Sequence, residues 1–204
     1  MGFTITEIKD LLQMKCAKLI ILNGASGSGK TFAMEKMEEV SKNIQPIKKY
    51  TTRGPRSHEE IDSSIDLVFN TTLEEILECK YHYSYWEEEY GIMADEIEMA
   101  LKECKSPVII VRDYETIIDL LRDYTDAIVL YVHSAYTGKE LVRILKENGR
   151  EDIDAADREL REIENFADYM KYLEKDLFCH HIYNYYNDTF VQQLKYYLSK
   201  HVEV

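Results

Sequence analysis

The chain has 204 residues, a length that suits one α/β domain with a full hydrophobic core and is too short for two large domains. Its 45% hydrophobic and 31% charged residues are ordinary for a soluble globular protein. The formal net charge of −13 argues against nucleic acid as a partner, because an extended nucleic-acid-binding surface needs a basic face.

The cysteine pattern and the lack of targeting signals bear on the cellular compartment. The four cysteines, at 16, 79, 104 and 179, have no CxxC spacing, which indicates reduced structural thiols. Two adjacent histidines follow Cys179, but neighbouring side chains of a strand point to opposite faces, so we do not expect a metal site there. The sequence contains no signal-peptide pattern and no apolar run of membrane length. We therefore expect a cytoplasmic protein without a membrane partner.

The first predicted elements lie on either side of a glycine-rich loop. An amphipathic helix is predicted over 4–14 and a buried strand over 19–22. Ala33, Met37 and Val40 then recur at helical spacing, which predicts a second helix to about residue 43.

The loop between that strand and that helix has the features of a phosphate-binding loop. It fits the pattern G-x-x-x-x-G-K-[ST] at every fixed position, and its strand–loop–helix context separates it from a chance glycine cluster. The glycines let backbone N–H groups approach phosphate oxygens, and the helix N-terminus adds its positive dipole end. Lys30 is expected to bridge the terminal phosphates of ATP, and the Thr31 hydroxyl to hold Mg²⁺. The predicted ATP-binding residues are Gly24, Ala25, Ser26, Gly27, Ser28, Gly29, Lys30 and Thr31.

The rest of the chain alternates between strands and helices. A short strand running into a loop is predicted at 45–56, where Gly54 and Pro55 exclude a helix. Further strands are predicted at 65–69, 81–91 (one or two antiparallel strands), 107–111, 127–132 and 182–186. Helices are predicted at 73–77, 97–104, 114–121, 137–177 with a break at Asn148-Gly149, and 190–198. Buried apolar strands that alternate with helices predict an α/β fold with a parallel sheet covered on both faces.

Aromatic residues recur with a period of two in the 81–91 segment, at Tyr81, Tyr83 and Tyr85. Such a ladder could stack a nucleotide base. Cross-strand packing within a small sheet is the commoner role of such a pattern, and we favour it here.

Several spaced motifs together resemble the guanylate kinase family of P-loop nucleoside monophosphate kinases. They are the phosphate loop, Thr-Thr-Arg-Gly-Pro-Arg at 51–56, Tyr90-Gly91, Val-Arg-Asp at 111–113, the charged helical segment and Ile-Tyr-Asn at 182–184. The resemblance implies a single P-loop three-layer α/β domain over 1–204. In it, 15–48, 93–136 and 178–204 form the core, 49–92 a small monophosphate-binding insert, and 137–177 a helical lid.

The resemblance also implies site residues. Arg53, Arg56, Tyr90 and Asp113 match residues that bind the acceptor monophosphate, and paired guanidinium groups suit phosphate oxygens. Lys30 and Arg53, with the lid arginines Arg150 and Arg161, match catalytic residues that neutralise charge during transfer, with Arg158 a less favoured match than Arg161. The alternative for Arg150 and Arg161 is a solvated helix face.

Four positions depart from the family pattern on the side that reads the base. Leu67 stands in place of a second phosphate-binding tyrosine, and Lys49 and Ile92 stand in place of serines. Tyr81 occupies the position of a glutamate that accepts from guanine N–H groups, with Glu78 close by in sequence. The phosphate-binding residues are therefore better preserved than the residues that recognise guanine.

Three functions are consistent with these residues. The first is an ATP- and Mg²⁺-dependent guanylate kinase that phosphorylates GMP by positioning and charge neutralisation, without a general base because the acceptor phosphate is already an anion. The second is a P-loop kinase of another phosphorylated metabolite, such as a sugar phosphate. The third is a non-catalytic nucleotide-binding module, which the retained Lys30 and Thr31 argue against.

Overall fold

The computed structural model describes residues 17–55, 61, 64–147, 155–177 and 180–202, and gives only the backbone at 155–162 and 165. The strands are β1 (Ile20–Asn23), β2 (Ile44–Pro46), β3 (Lys49–Thr51), β4 (Leu67–Val68), β5 (Tyr81–Tyr85), β6 (Glu88–Ile92), β7 (Ser106–Ile110), β8 (Ile128–Ser134) and β9 (His180–Asn184). The helices are α1 (Lys30–Val40), α2 (Leu73–Leu77), α3 (Ala94–Lys102), α4 (Tyr114–Asp123), α5 (Gly138–Glu147), α6 (Ala155–Glu174) and α7 (Asp188–His201).

A five-stranded parallel sheet in the order β2-β7-β1-β8-β9 forms the centre of the fold. Its central strand β1 lies between β7 and β8, with Ile21 level with Ile109 on one side and Val129 on the other. These strands are apolar in continuous runs because helices cover both faces of the sheet. The predicted α/β fold with a parallel core sheet is therefore confirmed.

Two hydrophobic clusters lie on the two faces of this sheet. On one face α1 and α7 pack against β1 and β8, through the buried residues Ile20, Leu22, Met34, Met37, Val132, Phe190 and Leu194. On the other face α3, α4 and the second sheet pack against the strands, through Leu19, Ile21, Ile97, Ile117, Leu120 and Val129. Alternate residues of β1 thus supply both clusters, as the two-residue period of a strand requires.

A second, four-stranded sheet has the order β4-β3-β6-β5. Strands β3 and β4 are parallel, whereas β3 pairs with β6 and β6 with β5 in antiparallel fashion. Its buried residues Tyr81, Tyr83 and Ile92 belong to the same cluster as Ile97 and Val129. The second sheet is therefore held against the core by a shared hydrophobic interior.

Helices α5 and α6 follow the core strand β8 and pack against each other. Leu141, Ile144 and Leu145 bury one face of α5, and Tyr172 anchors the end of α6 in the core. No helix within the described ranges is long and apolar enough to cross a membrane.

The structure changes some predicted boundaries. The segment at 45–56 forms two strands, because Ile47 N–H still bonds to Val108 of the core before β3 joins the second sheet. Helix α1 ends at Val40, where Ser41 adopts an extended backbone, rather than near residue 43. The helix predicted over 4–14 and the break at Asn148-Gly149 lie outside the described residues.

Candidate functional site

The glycine-rich loop joins the carboxyl end of β1 to the N-terminus of α1. Gly24 and Gly29 have positive φ angles of 142° and 96°. A Cβ atom would lie 2.4 Å from the Val132 carbonyl oxygen at Gly24, and 2.3 Å from Asn184 Nδ2 at Gly29. Only glycine combines these backbone angles with such close neighbours, so the loop conformation depends on both positions.

Lys30 is folded into this loop. Its ammonium donates hydrogen bonds to the carbonyl oxygens of Gly24 and Ala25, each at 2.7 Å, and the residue is 9% exposed. Thr31, at the start of α1, is exposed, and its hydroxyl lies 3.5 Å from Asp66 Oδ2. The cation is thereby fixed at the helix N-terminus, where an anion is favoured by the dipole and by backbone donors.

Asn184, the last residue of β9, and Tyr186, which follows β9, hold the loop in place through hydrogen bonds. Asn184 is 2% exposed, and its Nδ2 donates to the Ser28 carbonyl oxygen at 3.0 Å. The Tyr186 hydroxyl donates to the Gly27 carbonyl oxygen and lies 3.3 Å from Ser134 Oγ. Sequence reasoning matched Asn184 to a motif without giving it a role and missed Tyr186.

Ser28 supplies a buried hydroxyl to the loop. The residue is fully buried, and its Oγ makes no hydrogen bond with any residue in the described part of the chain. A buried hydroxyl without a partner costs free energy, so a phosphate oxygen would be a favourable neighbour.

Arg53 lies beside the second sheet. Its N–H donates to Thr51 Oγ1 at 3.1 Å and its carbonyl accepts from Asn70 N–H at 3.2 Å, which fixes the turn after β3. Its guanidinium stacks over Phe69, 5.1 Å from the ring centroid. The side chain is half-buried, and its charge acts on both Tyr90 and Lys49.

Tyr90 of β6 is enclosed by side chains of the strands on either side. Its ring stacks on Tyr83 of β5, with centroids 5.3 Å apart and planes inclined by 15°. On the β3 side the Lys49 ammonium lies 5.3 Å from the centroid of the Tyr90 ring. Burial raises the pKa of the Tyr90 hydroxyl, against the opposing charge of Arg53. These contacts occupy both ring faces of Tyr90, and the predicted cross-strand packing is confirmed for Tyr83.

Arg112 lies between the phosphate loop and the second sheet. It follows β7 at the carboxyl edge of the core sheet, where the Tyr172 hydroxyl donates to its carbonyl oxygen. Its guanidinium is 4.3 Å from the ring centroid of Tyr85, and it lines a small cleft together with Gly24 and Ala25. Sequence reasoning matched Arg112 to a motif without giving it a role, although a basic residue after a buried parallel strand is a signal for such a site.

Asp113, predicted in the acceptor site, caps helix α4. Its Oδ2 accepts from the backbone N–H and the hydroxyl of Thr116, both at 2.8 Å. The residue is half-buried. Its predicted contact with an acceptor stays a prediction.

The remaining predicted arginines are not placed by the structure. Arg56 and Arg150 lie outside the described residues. Arg158 and Arg161 belong to α6, where the structure gives only the backbone at these positions. Their roles also stay predictions.

Lys49 is a buried cation in the second sheet. It is 4% exposed and shares its face of β3 with Thr51, next to Tyr90. Burial lowers its pKa from 10.5 to about 8, with Arg112 and Arg53 adding to that effect and Asp66 opposing it. At neutral pH the Lys49 side chain is therefore mainly protonated in the folded protein, although it is buried.

Of the other positions that depart from the guanylate kinase pattern, Tyr81 and Ile92 are internal. The Tyr81 hydroxyl donates to Asp123 Oδ2 at 2.7 Å, and burial together with this bond raises its pKa. Ile92 is fully buried, Leu67 is half-buried in β4, and Glu78 is exposed at the end of α2. Tyr81 and Ile92 thus belong to the hydrophobic interior rather than to a polar base-reading surface.

A cavity of about 240 Å³ lies between β8 and the two helices that follow it. It reaches the phosphate loop at Ala25 and Ser26, and aromatic side chains form much of its wall: Tyr131, Tyr136, Phe166 and Tyr169. Movement of α5 or α6 would change the space directly beside the loop.

The histidines of β9 point to opposite faces, as predicted. His181 Nδ1 lies 2.9 Å from His133 Nε2, whereas His180 packs against Tyr197 and His201. Within the described ranges, no group of three or more His, Cys, Asp or Glu residues is arranged to hold a metal ion.

Comparison with known proteins gives a relationship at the level of the fold. No protein-family model and no curated protein sequence matches the chain. The crystal structure of guanylate kinase from Anaplasma phagocytophilum is similar, with a TM-score of 0.62 and 15% sequence identity. The similarity covers 93% of this chain and 88% of that chain. The shared property is the fold. It does not by itself establish an activity or an acceptor.

Proposed function

We propose that this protein is an ATP- and Mg²⁺-dependent phosphotransferase that transfers the γ-phosphoryl group of ATP to a phosphomonoester. The observation that carries the proposal is the loop at 24–31 with the buried ammonium of Lys30. Arg53, beside the second sheet, supports it as a candidate acceptor cation. A donor site and an anion-binding acceptor site are the two parts that phosphoryl transfer between phosphates requires.

The residues of the loop fit ATP and Mg²⁺. Lys30 would exchange its bonds to Gly24 and Ala25 for phosphate oxygens, and the buried Ser28 hydroxyl would gain a partner. The exposed Thr31 hydroxyl, with Asp66 beside it, would hold Mg²⁺ directly or through water, as hard oxygen donors do. When bound, Mg²⁺ would neutralise part of the negative charge of the ATP phosphates.

Catalysis on this proposal is positioning and charge neutralisation. Arg53 and the Tyr90 hydroxyl would bind the acceptor phosphate, Arg112 would stabilise negative charge between acceptor and loop, and Lys30 would neutralise charge that develops on the transferred group. Lid arginines Arg150 and Arg161, and Arg56 and Asp113 in the acceptor site, complete the proposed set. Closure of α5 and α6 would exclude water, which would otherwise accept the phosphoryl group.

The acceptor has two candidates. GMP is the acceptor of the structurally similar enzyme family, which would make this chain a guanylate kinase. Another phosphorylated metabolite is favoured by the second sheet, where Tyr81 and Ile92 are internal and Lys49 adds a charge. A non-catalytic nucleotide-binding role on the same fold is disfavoured by the buried, ordered Lys30 ammonium.

The test is ADP release from ATP with a panel of monophosphates, in the wild type and in Lys30→Ala. We expect transfer in the wild type and a loss of at least about a hundredfold in kcat for the variant, because charge on the transferred group is no longer stabilised. If GMP is a substrate, kcat/KM for GMP should differ only weakly from kcat/KM for AMP and IMP. Circular dichroism controls for folding. Equal turnover in Lys30→Ala would exclude the kinase function.

A further inference from the structure

Two histidines of the core sheet, His133 of β8 and His181 of β9, form a close pair. The Nε2 atom of His133 lies 2.9 Å from the Nδ1 atom of His181, so the two rings share one proton in a hydrogen bond. The pair joins neighbouring parallel strands and spans 48 positions of the sequence. Two imidazole nitrogens are thereby as close together as two ligands of one metal ion.

The separation of these two nitrogens fits one class of metal ion. Imidazole nitrogens bind late first-row transition metals at about 2.0–2.1 Å. Two nitrogens 2.9 Å apart would then form an angle of about 90° at the ion. Neighbouring ligands of an octahedral or square-planar ion form this angle, whereas a tetrahedral ion needs nitrogens about 3.3–3.4 Å apart. The pair therefore suits Ni²⁺ or Cu²⁺ better than Zn²⁺.

Aromatic side chains around the pair hold the His133 ring in place. Tyr183 of β9 stacks on it, with centroids 4.6 Å apart and planes inclined by 11°. Tyr131 of β8 and Tyr169 of α6 also contact this ring, at centroid distances of 4.5 Å and 5.4 Å. A ligand that is already ordered loses little conformational entropy when an ion binds. The surrounding rings thus preorganise one of the two nitrogens.

Both histidines can accept a cation at neutral pH. Burial lowers the pKa of His133 to about 4, with His181 adding to that effect, and burial also lowers the pKa of His181. The neutral imidazole is the form that binds metal, so protons do not compete for these nitrogens at pH 7. His181 is exposed, which gives an ion a path from solvent. The net charge of −13 favours the approach of cations.

We propose that His133 Nε2 and His181 Nδ1 form a binding site for a transition-metal ion of the Ni²⁺ or Cu²⁺ type. The ion would take the place of the shared proton, which moves to the other nitrogen of its own ring, and water would complete the coordination. Within the described ranges no third His, Cys, Asp or Glu residue is arranged to join them. We therefore expect a weaker affinity than that of sites with three or four protein ligands.

The site would connect the two strands whose ends hold the phosphate loop. His133 precedes Ser134, whose Oγ lies 3.3 Å from the Tyr186 hydroxyl. His181 lies in the strand that ends at Asn184, which bonds to the loop. An ion that binds only the folded protein stabilises it by linkage. Metal binding should therefore raise the melting temperature, and it does not depend on the proposed phosphotransferase function.

The experiment measures binding of Ni²⁺, Cu²⁺ and Zn²⁺ to the untagged protein at pH 7, without ATP or Mg²⁺. Calorimetry gives the affinity and stoichiometry, and electron paramagnetic resonance of the Cu²⁺ form counts the imidazole ligands. His133→Phe keeps a ring for Tyr183 to stack on, and His181→Gln keeps a hydrogen-bonding side chain. His201→Gln is the matched control, because His201 and His180 form a separate pair of rings with centroids 4.3 Å apart.

We expect the wild type to bind one Ni²⁺ or Cu²⁺ ion at this pair, more tightly than Zn²⁺ and with two imidazole ligands. His133→Phe and His181→Gln should each weaken this binding at least about tenfold, because one of two protein ligands is lost. Both should also lose the rise in melting temperature on addition of Ni²⁺. His201→Gln should behave like the wild type, and circular dichroism checks that each variant is folded.

Three results would overturn the inference. The first is a wild type that binds neither Ni²⁺ nor Cu²⁺, or that shows fewer than two imidazole ligands on Cu²⁺, a measurement that needs no variant to fold. The second is equal affinity in the wild type, His133→Phe and His181→Gln. The third is a loss of binding in His201→Gln alone, which would place the ion at the other pair.

Discussion

Replacing Lys49 by Met should make the folded protein more stable. The side chain is 4% exposed, and its pKa falls from 10.5 to about 8 in the folded state. A basic group whose pKa is lowered on folding destabilises the folded state while the group is protonated. This cost decreases as the pH rises above the pKa of the folded state, and it is gone above the pKa of the unfolded state. At about 1.4 kcal/mol per pKa unit, the cost at pH 7 is about 3 kcal/mol.

The cation–π contact with Tyr90 offsets about 1 kcal/mol of this cost, so the expected gain for Lys49→Met at pH 7 is about 2 kcal/mol. Methionine has a similar length and fills the same apolar space without a charge. For a chain of this size the melting temperature should rise by roughly 4–8 °C.

The assay is urea unfolding of wild type, Lys49→Met and the exposed control Lys48→Met at pH 7 and pH 10. The gain for Lys49→Met should shrink to about 1 kcal/mol or less at pH 10, because Lys49 is then neutral in the folded protein. Lys48→Met should stay within about 0.5 kcal/mol of wild type at both pH values. A destabilised Lys49→Met, or a gain that does not change with pH, would refute the assignment of Lys49 as a buried charged group.

Three further changes test separate parts of the site. Arg53→Ala should raise KM for the acceptor about ten- to a hundredfold and leave KM for ATP nearly unchanged, measured by ADP release; the opposite pattern would place Arg53 in the donor site. Asn184→Ala removes the bond to the Ser28 carbonyl and should weaken ATP binding several-fold in a calorimetric titration, and unchanged ATP affinity would show that the loop needs no brace. Tyr81→Phe removes the hydrogen bond to Asp123 and should lower the free energy of unfolding in urea by about 1 kcal/mol. The kcat/KM for every acceptor should stay unchanged, and an altered acceptor preference would show that Tyr81 contacts the acceptor.

The sequence predicted the core sheet and the strand–loop–helix unit around residues 24–31 well because both are local patterns. The apolar runs of β1, β7 and β8 are buried from both sides, and the 24–31 motif is flanked directly by its strand and its helix. Arg53 and Tyr90 were proposed as acceptor-site residues through spaced motifs, and their roles stay predictions.

What the sequence did not reveal depends on contacts between distant segments. The position of Arg112 depends on its contacts with Tyr85 of the second sheet and Tyr172 of α6. Lys49 is likewise buried because of the face of β3 on which it lies. From the sequence alone, a lysine in a short strand is expected to be exposed. The split of 45–56 between two sheets was missed because strand propensity does not specify which sheet a strand joins.

The brace on the phosphate loop ties the beginning of the fold to its end. Asn184 and Tyr186 reach loop residues that precede them by 156 and 159 positions. During synthesis on the ribosome, the loop therefore emerges long before the residues that hold it in shape. The nucleotide site can reach its final form only after β9 has docked, and any ligand that prefers the braced loop will in turn hold β9 in place.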